Sequence, residues 1–170
     1  HSSASDSKTL INITNGGLFQ FAGGYLNVED GKNAVEVNIG KDSSFVSTEG
    51  DFSIRQNCEV NNAGLLSARV LRVEKGRVLN IDNGTGTLEL GSLITSDGSK
   101  LTIDELENGQ DAVITIGDSW NIAENSVFEF SLADTYARDD LKAAVATYTG
   151  NKDNWVVQEG TLIICNFNLC

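Results

Sequence analysis

The chain is written in short phrases of alternating apolar and polar residues, each closed by a glycine. Leu71-Arg72-Val73-Glu74-Lys75-Gly76 is followed at once by Leu79-Asn80-Ile81-Asp82-Asn83-Gly84. Ile11-Asn12-Ile13-Thr14-Asn15-Gly16 and Leu26-Asn27-Val28-Glu29-Asp30-Gly31 have the same form. Alternation of period two puts the apolar pair on one face of an extended strand, and glycine then closes a turn at positive φ. Such phrases run from Thr9 to about Ala133, so the sequence predicts a series of short strands. Among them, Ser44–Ser47 and Asp51–Arg55 read as two strands, Thr87–Leu90 and Ser92–Thr95 as two more, and Asp51–Arg55 is followed next by Gly64–Val73. Helical periods are missing between them, which excludes a doubly wound α/β fold.

Two mainly β architectures fit. In a β-solenoid, successive coils stack and each phrase supplies one wall; in an antiparallel β-sandwich, the phrases pair as hairpins. Recurrence of one phrase favours the solenoid. The spacing makes it irregular: Gly16 to Gly31 is 15 positions, Gly31 to Gly40 is 9 and Gly76 to Gly84 is 8. The absence of proline suits a backbone whose donors are used in ladders.

The texture changes at Asp134. Leu141, Ala144, Val145 and Tyr148 fall at i, i+3, i+4 and i+7, which predicts a helix stopped at Gly150. Asn154–Gln158 and Thr161–Phe167, joined by Glu159-Gly160, read as a hairpin. The expected organisation is a tail over 1–8, a strand-rich body over 9–133 and a helix-plus-hairpin cap over 134–170. The opening His1-Ser2-Ser3-Ala4-Ser5 is expected to be a tag remnant, and any export signal is expected to have been removed or never present.

The repeated phrase resembles the passenger repeats of bacterial autotransporter and surface β-repeat proteins, over roughly Thr9 to Ile116. That resemblance implies an exported bacterial β-solenoid, secreted or on the cell surface, that meets extracellular glycoprotein or glycan. A narrower stretch, Leu79-Asn80-Ile81-Asp82-Asn83-Gly84-Thr85, resembles the Asp-Thr/Ser-Gly mark of aspartic proteases, among them the small secreted mucin-degrading enzymes of mucus-dwelling gut bacteria. Val113-Ile114-Thr115-Ile116-Gly117 matches their later apolar–apolar–Gly segment. Asn83 departs from the mark, because it lacks the hydroxyl that supports the carboxylates.

Composition then narrows the chemistry. Asp and Glu number 24 against 12 Lys and Arg, a net charge of −12, so nucleic acid is an unsuitable partner. The one basic cluster, Arg69, Arg72, Lys75 and Arg77, reads either as a solvated strand face or as an anion or acidic-glycan contact. No run of about 20 apolar residues could span a membrane as a helix. The single histidine is His1, which removes Ser-His-Asp, Cys-His and His-ligated zinc chemistry. Cys58, Cys165 and Cys170 form no CxxC pair; the five-residue spacing predicts a Cys165–Cys170 bond, with Cys58 a buried free thiol.

Carboxylates are what remain for catalysis. An acid endopeptidase needs two that share one proton across a water. The candidates are Asp82, with Asp97 or Asp118 as its second, the competing reading of Asp82-Asn83-Gly84 being a plain turn. A glycosidase would draw on Asp104, Glu105, Glu107 and Asp111 with Trp120 as a sugar platform. The same acids lack the order of an EF-hand or calcium β-roll, so no metal and no cofactor is predicted.

Overall fold

The computed structural model describes residues 8–26, 34–104, 113–123, 126–130, 155–157 and 162–165. Fourteen strands are placed among them, and no helix. They are β1 (Thr9–Ile13), β2 (Leu18–Phe21), β3 (Gly24–Leu26), β4 (Val35–Ile39), β5 (Ser44–Ile54), β6 (Cys58–Asn62) and β7 (Leu65–Val73). The rest are β8 (Val78–Asp82), β9 (Thr87–Thr95), β10 (Lys100–Asp104), β11 (Val113–Ile122), β12 (Val127–Phe130), β13 (Trp155–Val157) and β14 (Leu162–Cys165).

One sheet takes the short strands in the order β1-β4-β6-β8-β10-β12-β14. The other takes β13-β11-β9-β7-β5-β2, with β3 also on β5. Every pairing is parallel, so the sandwich alternative is set aside and the fold is a β-solenoid of about four turns. Cys58 stands opposite Leu79 and Leu79 opposite Leu101, coils of 21 and 22 residues, whereas Thr9 to Val35 takes 26.

Each coil has three sides. The first is a short strand. The second and third are, in the first coil, the separate strands β2 and β3, and in the coils of β5, β7, β9 and β11 the two arms of one long strand that bends in its middle. Burial records the bend: β7 alternates inward at Leu66 and Ala68, turns outward at Arg69, and resumes inward at Leu71 and Val73. Strands expected separately at Ser44–Ser47 and Asp51–Arg55, and at Thr87–Leu90 and Ser92–Thr95, are therefore arms of β5 and β9.

Several of the corners are β-turns closed by i to i+3 backbone bonds. Gly17 N donates to Thr14 O, Ser43 N to Gly40 O and Gly86 N to Asn83 O where the short strand hands over to the long one. Arg77 N donates to Glu74 O and Ser99 N to Ser96 O at the opposite corner. Gly76 and Gly98 hold φ of 66° and 67° there, a region in which a Cβ costs about 1–2 kcal/mol.

Inward residues stack in columns along the axis. Val35, Cys58, Leu79 and Leu101 form one, and Val37, Val60, Ile81 and Ile103 another, all buried. An aromatic group fills the first coils: Phe19 lies on Phe45 at 5.0 Å and 18° between planes, and Phe45 meets Phe52 at 5.2 Å. At the handover corner the column Ile13–Ile39 passes to asparagine. Asn62 Nδ2 donates to Asn83 Oδ1 at 2.8 Å and to Thr87 O at 2.9 Å, and Asn83 Nδ2 donates to Gly86 O at 3.1 Å. Both amides are buried, and they satisfy carbonyls that the turn leaves over.

The C-terminal strands correct one expectation. β13 pairs parallel with β11 and β14 parallel with β12, so Trp155–Val157 and Leu162–Cys165 extend the two sheets and are not the two arms of a hairpin. The helix expected over 134–150 lies outside the described residues, as does Cys170 of the expected Cys165–Cys170 bond. Cys58 is free and buried as expected.

Candidate functional site

The bends of the long strands carry a recess among the described residues. It is an open cleft of about 480 Å³ along the bends of β5, β7 and β9. Its lining includes the outward residues Val46, Thr48, Ser67, Arg69 and Glu89, with Gly91 at the far end. Register explains the grouping. Val46 is opposite Ser67 and Ser67 opposite Glu89, three consecutive coils of one outward column. Arg69 and Gly91 occupy equivalent places at the bend, between the pairs Ala68–Leu90 and Val70–Ser92. A Cβ on Gly91 would stand 2.5 Å from the carbonyl oxygen of Arg69, so only glycine lets these coils approach at the cleft.

Chemically the lining is mixed. Arg69 offers fixed N–H donors, Glu89 offers acceptors, and Thr48 and Ser67 offer hydroxyls that do both. Arg69 and Glu89 are both exposed. Ser47 also borders the cleft, and its hydroxyl is buried without a hydrogen-bond partner among the described residues. Two others of the expected basic cluster are engaged elsewhere: Arg72 is paired with Asp51 at 2.6 Å and Lys75 with Asp97 at 3.2 Å, while Arg77 is exposed.

The three candidate carboxylates fall on three different corners of the coil. Asp82 ends β8 at the handover corner, exposed, where its Oδ1 accepts from Gly84 N at 3.0 Å in an Asx turn. Asp97 sits in the Ser96–Ser99 turn at the opposite corner. Asp118 sits at the bend of β11, where the register shifts between Ile116 and Ser119. A five-residue strand separates the first two corners, roughly 13 Å at the usual rise. The residue in register with Asp82 on the next coil is Asp104, and on the preceding coil Asn61. Trp120, expected as a sugar platform, continues the register column of Leu71 and Leu93. Glu105, Glu107 and Asp111 lie outside the described residues. Among the described residues no group of three or more His, Cys, Asp or Glu is placed to hold a metal, and no helix is long and apolar enough to cross a membrane.

No family model, curated protein or solved structure matches this chain. Its β-solenoid architecture agrees with the β-repeat texture of the sequence.

Sequence reasoning named Arg69 but not its companions Thr48, Ser67 and Glu89. Their signal was present only in part: each is the polar member of an alternating pair beside a strand midpoint. Which midpoints bend, and so which polar residues converge, depends on how the coils stack.

Proposed function

We propose that this chain is a non-catalytic binding protein of the bacterial surface or secreted fraction that holds an extracellular glycan, free or on a glycoprotein, in the cleft at the bend. The observation that carries this reading is that Arg69 and Glu89, on neighbouring coils, line one cleft together with Ser67 and Thr48. A sugar presents hydroxyls that donate and accept at once, and a lining of one cation, one carboxylate and two hydroxyls answers both demands. A preformed recess with a few convergent polar groups is the usual form of a small-ligand site. The net charge of −12 favours neutral or amino sugars over acidic ones. The address rests on the repeat texture.

The alternative, an acid endopeptidase, requires two carboxylates within one water of each other. Asp82, Asp97 and Asp118 fall at separate corners, and the carboxylate in register with Asp82 is Asp104 on the next coil. A glycan array probed with wild-type protein, Arg69→Ala and Glu89→Gln tests the proposal. Binding of a defined neutral glycan that both substitutions abolish, with the far-UV spectrum unchanged, is the expected result. Absence of any glycan bound by the wild type, or binding indifferent to both substitutions, sinks it.

A further inference from the structure

The dipeptide Asn-Gly stands at the handover corner of two coils, and the fold gives its two copies opposite surroundings. In Thr14-Asn15-Gly16-Gly17 the pair forms the centre of the turn. There φ is 57° at Asn15 and 74° at Gly16, the type I′ form, and Gly17 N donates to Thr14 O across it. Both central residues are exposed. In Asn83-Gly84-Thr85-Gly86 the pair begins one place earlier. Asn83 is therefore the first residue of the turn, and its side chain is fully enclosed.

Asn-Gly carries an intramolecular reaction that needs no enzyme, because the glycine nitrogen, unhindered by a Cβ, can reach the asparagine carboxamide. Ring closure requires a carboxamide free to rotate, a glycine N–H without a partner and open space around both. Asn83 meets none of these conditions. Its Oδ1 accepts from Asn62 Nδ2 at 2.8 Å, its Nδ2 donates to Gly86 O at 3.1 Å, and Gly84 N donates to Asp82 Oδ1 at 3.0 Å. At Asn15, among the described residues, no hydrogen bond engages the carboxamide or Gly16 N. A Cβ added to Gly16 would find nothing nearer than the Asp42 carbonyl oxygen at 3.9 Å. This openness belongs to the corner and not to the end of the stack. Lys41 and Asp42, at the equivalent places of the Gly40–Ser43 turn, are exposed although coils lie on both sides of them.

We propose that Asn15 is a site of spontaneous deamidation and isomerisation in the folded protein, and that the inner amide ladder protects Asn83 from the same reaction. Gly16 N bonds to Asn15 Cγ, the Cγ–Nδ2 bond breaks, and the proton lost by Gly16 N leaves with Nδ2 as ammonia. The succinimide ring so formed takes up water at either of its carbonyls and opens to aspartate or isoaspartate. Water is the only other reactant. Isoaspartate routes the main chain through the former side chain and lengthens the turn by a methylene. Either product adds a carboxylate to a corner where the next coil already carries Asp42. The proposal stands apart from the glycan reading and does not depend on it.

Peptide mapping by mass spectrometry tests it, on the intact chain incubated in mildly alkaline buffer with and without urea, aspartate and isoaspartate being told apart by their fragment ions. Each Asn-Gly pair reads out on its own peptide, including Asn108-Gly109, which lies outside the described residues. Without urea, the Asn15 peptide is expected to convert to both products. The Asn83 peptide is expected to convert roughly a hundredfold more slowly, since it waits for the corner to open. In urea the two should convert at similar rates, their dipeptides being identical. Conversion at Asn15 no faster than at Asn83 in the folded protein overturns the proposal. So does an Asn83 rate that unfolding leaves unchanged, because the ladder would then protect nothing. Aspartate formed at Asn15 without isoaspartate overturns the cyclic route.

Discussion

Asn61 and Asn62 are adjacent, identical in type and opposite in fate, which makes them a matched pair for measuring what the inner ladder contributes. Asn62→Ala removes two donated bonds and one accepted bond. It leaves Asn83 Oδ1, Thr87 O and the Gly64 N–H, which bonds Asn62 Oδ1 at 3.2 Å, without that partner. Each buried group so orphaned costs roughly 1–3 kcal/mol. Asn83 cannot turn to compensate, because its own Nδ2 is held by Gly86 O and the residue is fully enclosed. A water entering the vacated space could rescue one or two of the three. The expected loss is therefore about 2–5 kcal/mol, a large part of the total for a single domain. Asn61 is exposed, and its Nδ2 donates to Asn38 Oδ1 at 2.7 Å on the outer face, where water replaces either partner. Asn61→Ala should stay within about 0.5 kcal/mol of wild type. Urea unfolding followed by far-UV circular dichroism reads both, the inner variant shifting the midpoint by on the order of 1–2 M and the outer one barely. Both residues sit on one coil, so any departure from two-state unfolding affects them alike. Losses within about 0.5 kcal/mol of each other would refute the reasoning, since inner and outer amides would then be equivalent.

Two further outcomes follow from the same geometry. Gly91→Ala should destabilise by roughly 1–3 kcal/mol, because its Cβ meets the Arg69 carbonyl rather than a side chain that can move; a thermal melt matching wild type would show that the coils separate freely there. Burial, with a smaller contribution from the Glu59 charge, pushes the Cys58 thiol up to about 12, so it should resist alkylation until the protein unfolds. Its folded pKa is raised, so its contribution to stability is complete below the ordinary thiol range and is lost as pH rises toward about 12. Cys58→Ala should flatten that alkaline decline, and a decline unchanged by the substitution would assign it to other groups.

Alternation alone settled that the described body is built of strands and turns, because a period of two can bury one face of a strand and no face of a helix. It placed Val35–Ile39, Val78–Asp82 and Lys100–Asp104 closely, since each is an apolar residue at every second place with a turn residue after it. Cysteine spacing indicated that Cys58 would be buried and free, as it is. Alternation did not reveal β6. Cys-Glu-Val-Asn-Asn offers only two apolar positions, and the third inward place is filled by Asn62, whose burial depends on Asn83 one coil later. The irregular glycine spacing had a simple cause that the linear sequence hides. Gly76 and Gly84 close two corners of one coil, whereas Gly76 and Gly98 close the same corner of successive coils, 22 residues apart. Stacking likewise decided which carboxylates could meet: Asp82, Asp97 and Asp118 are near in sequence terms but are distributed to three corners, while Ser67, Arg69 and Glu89 are drawn to one cleft. The physical reason is that local sequence fixes which face a residue takes within its own strand. Which neighbour it acquires is fixed by the register between coils, and register is set by the length and closure of every turn in between.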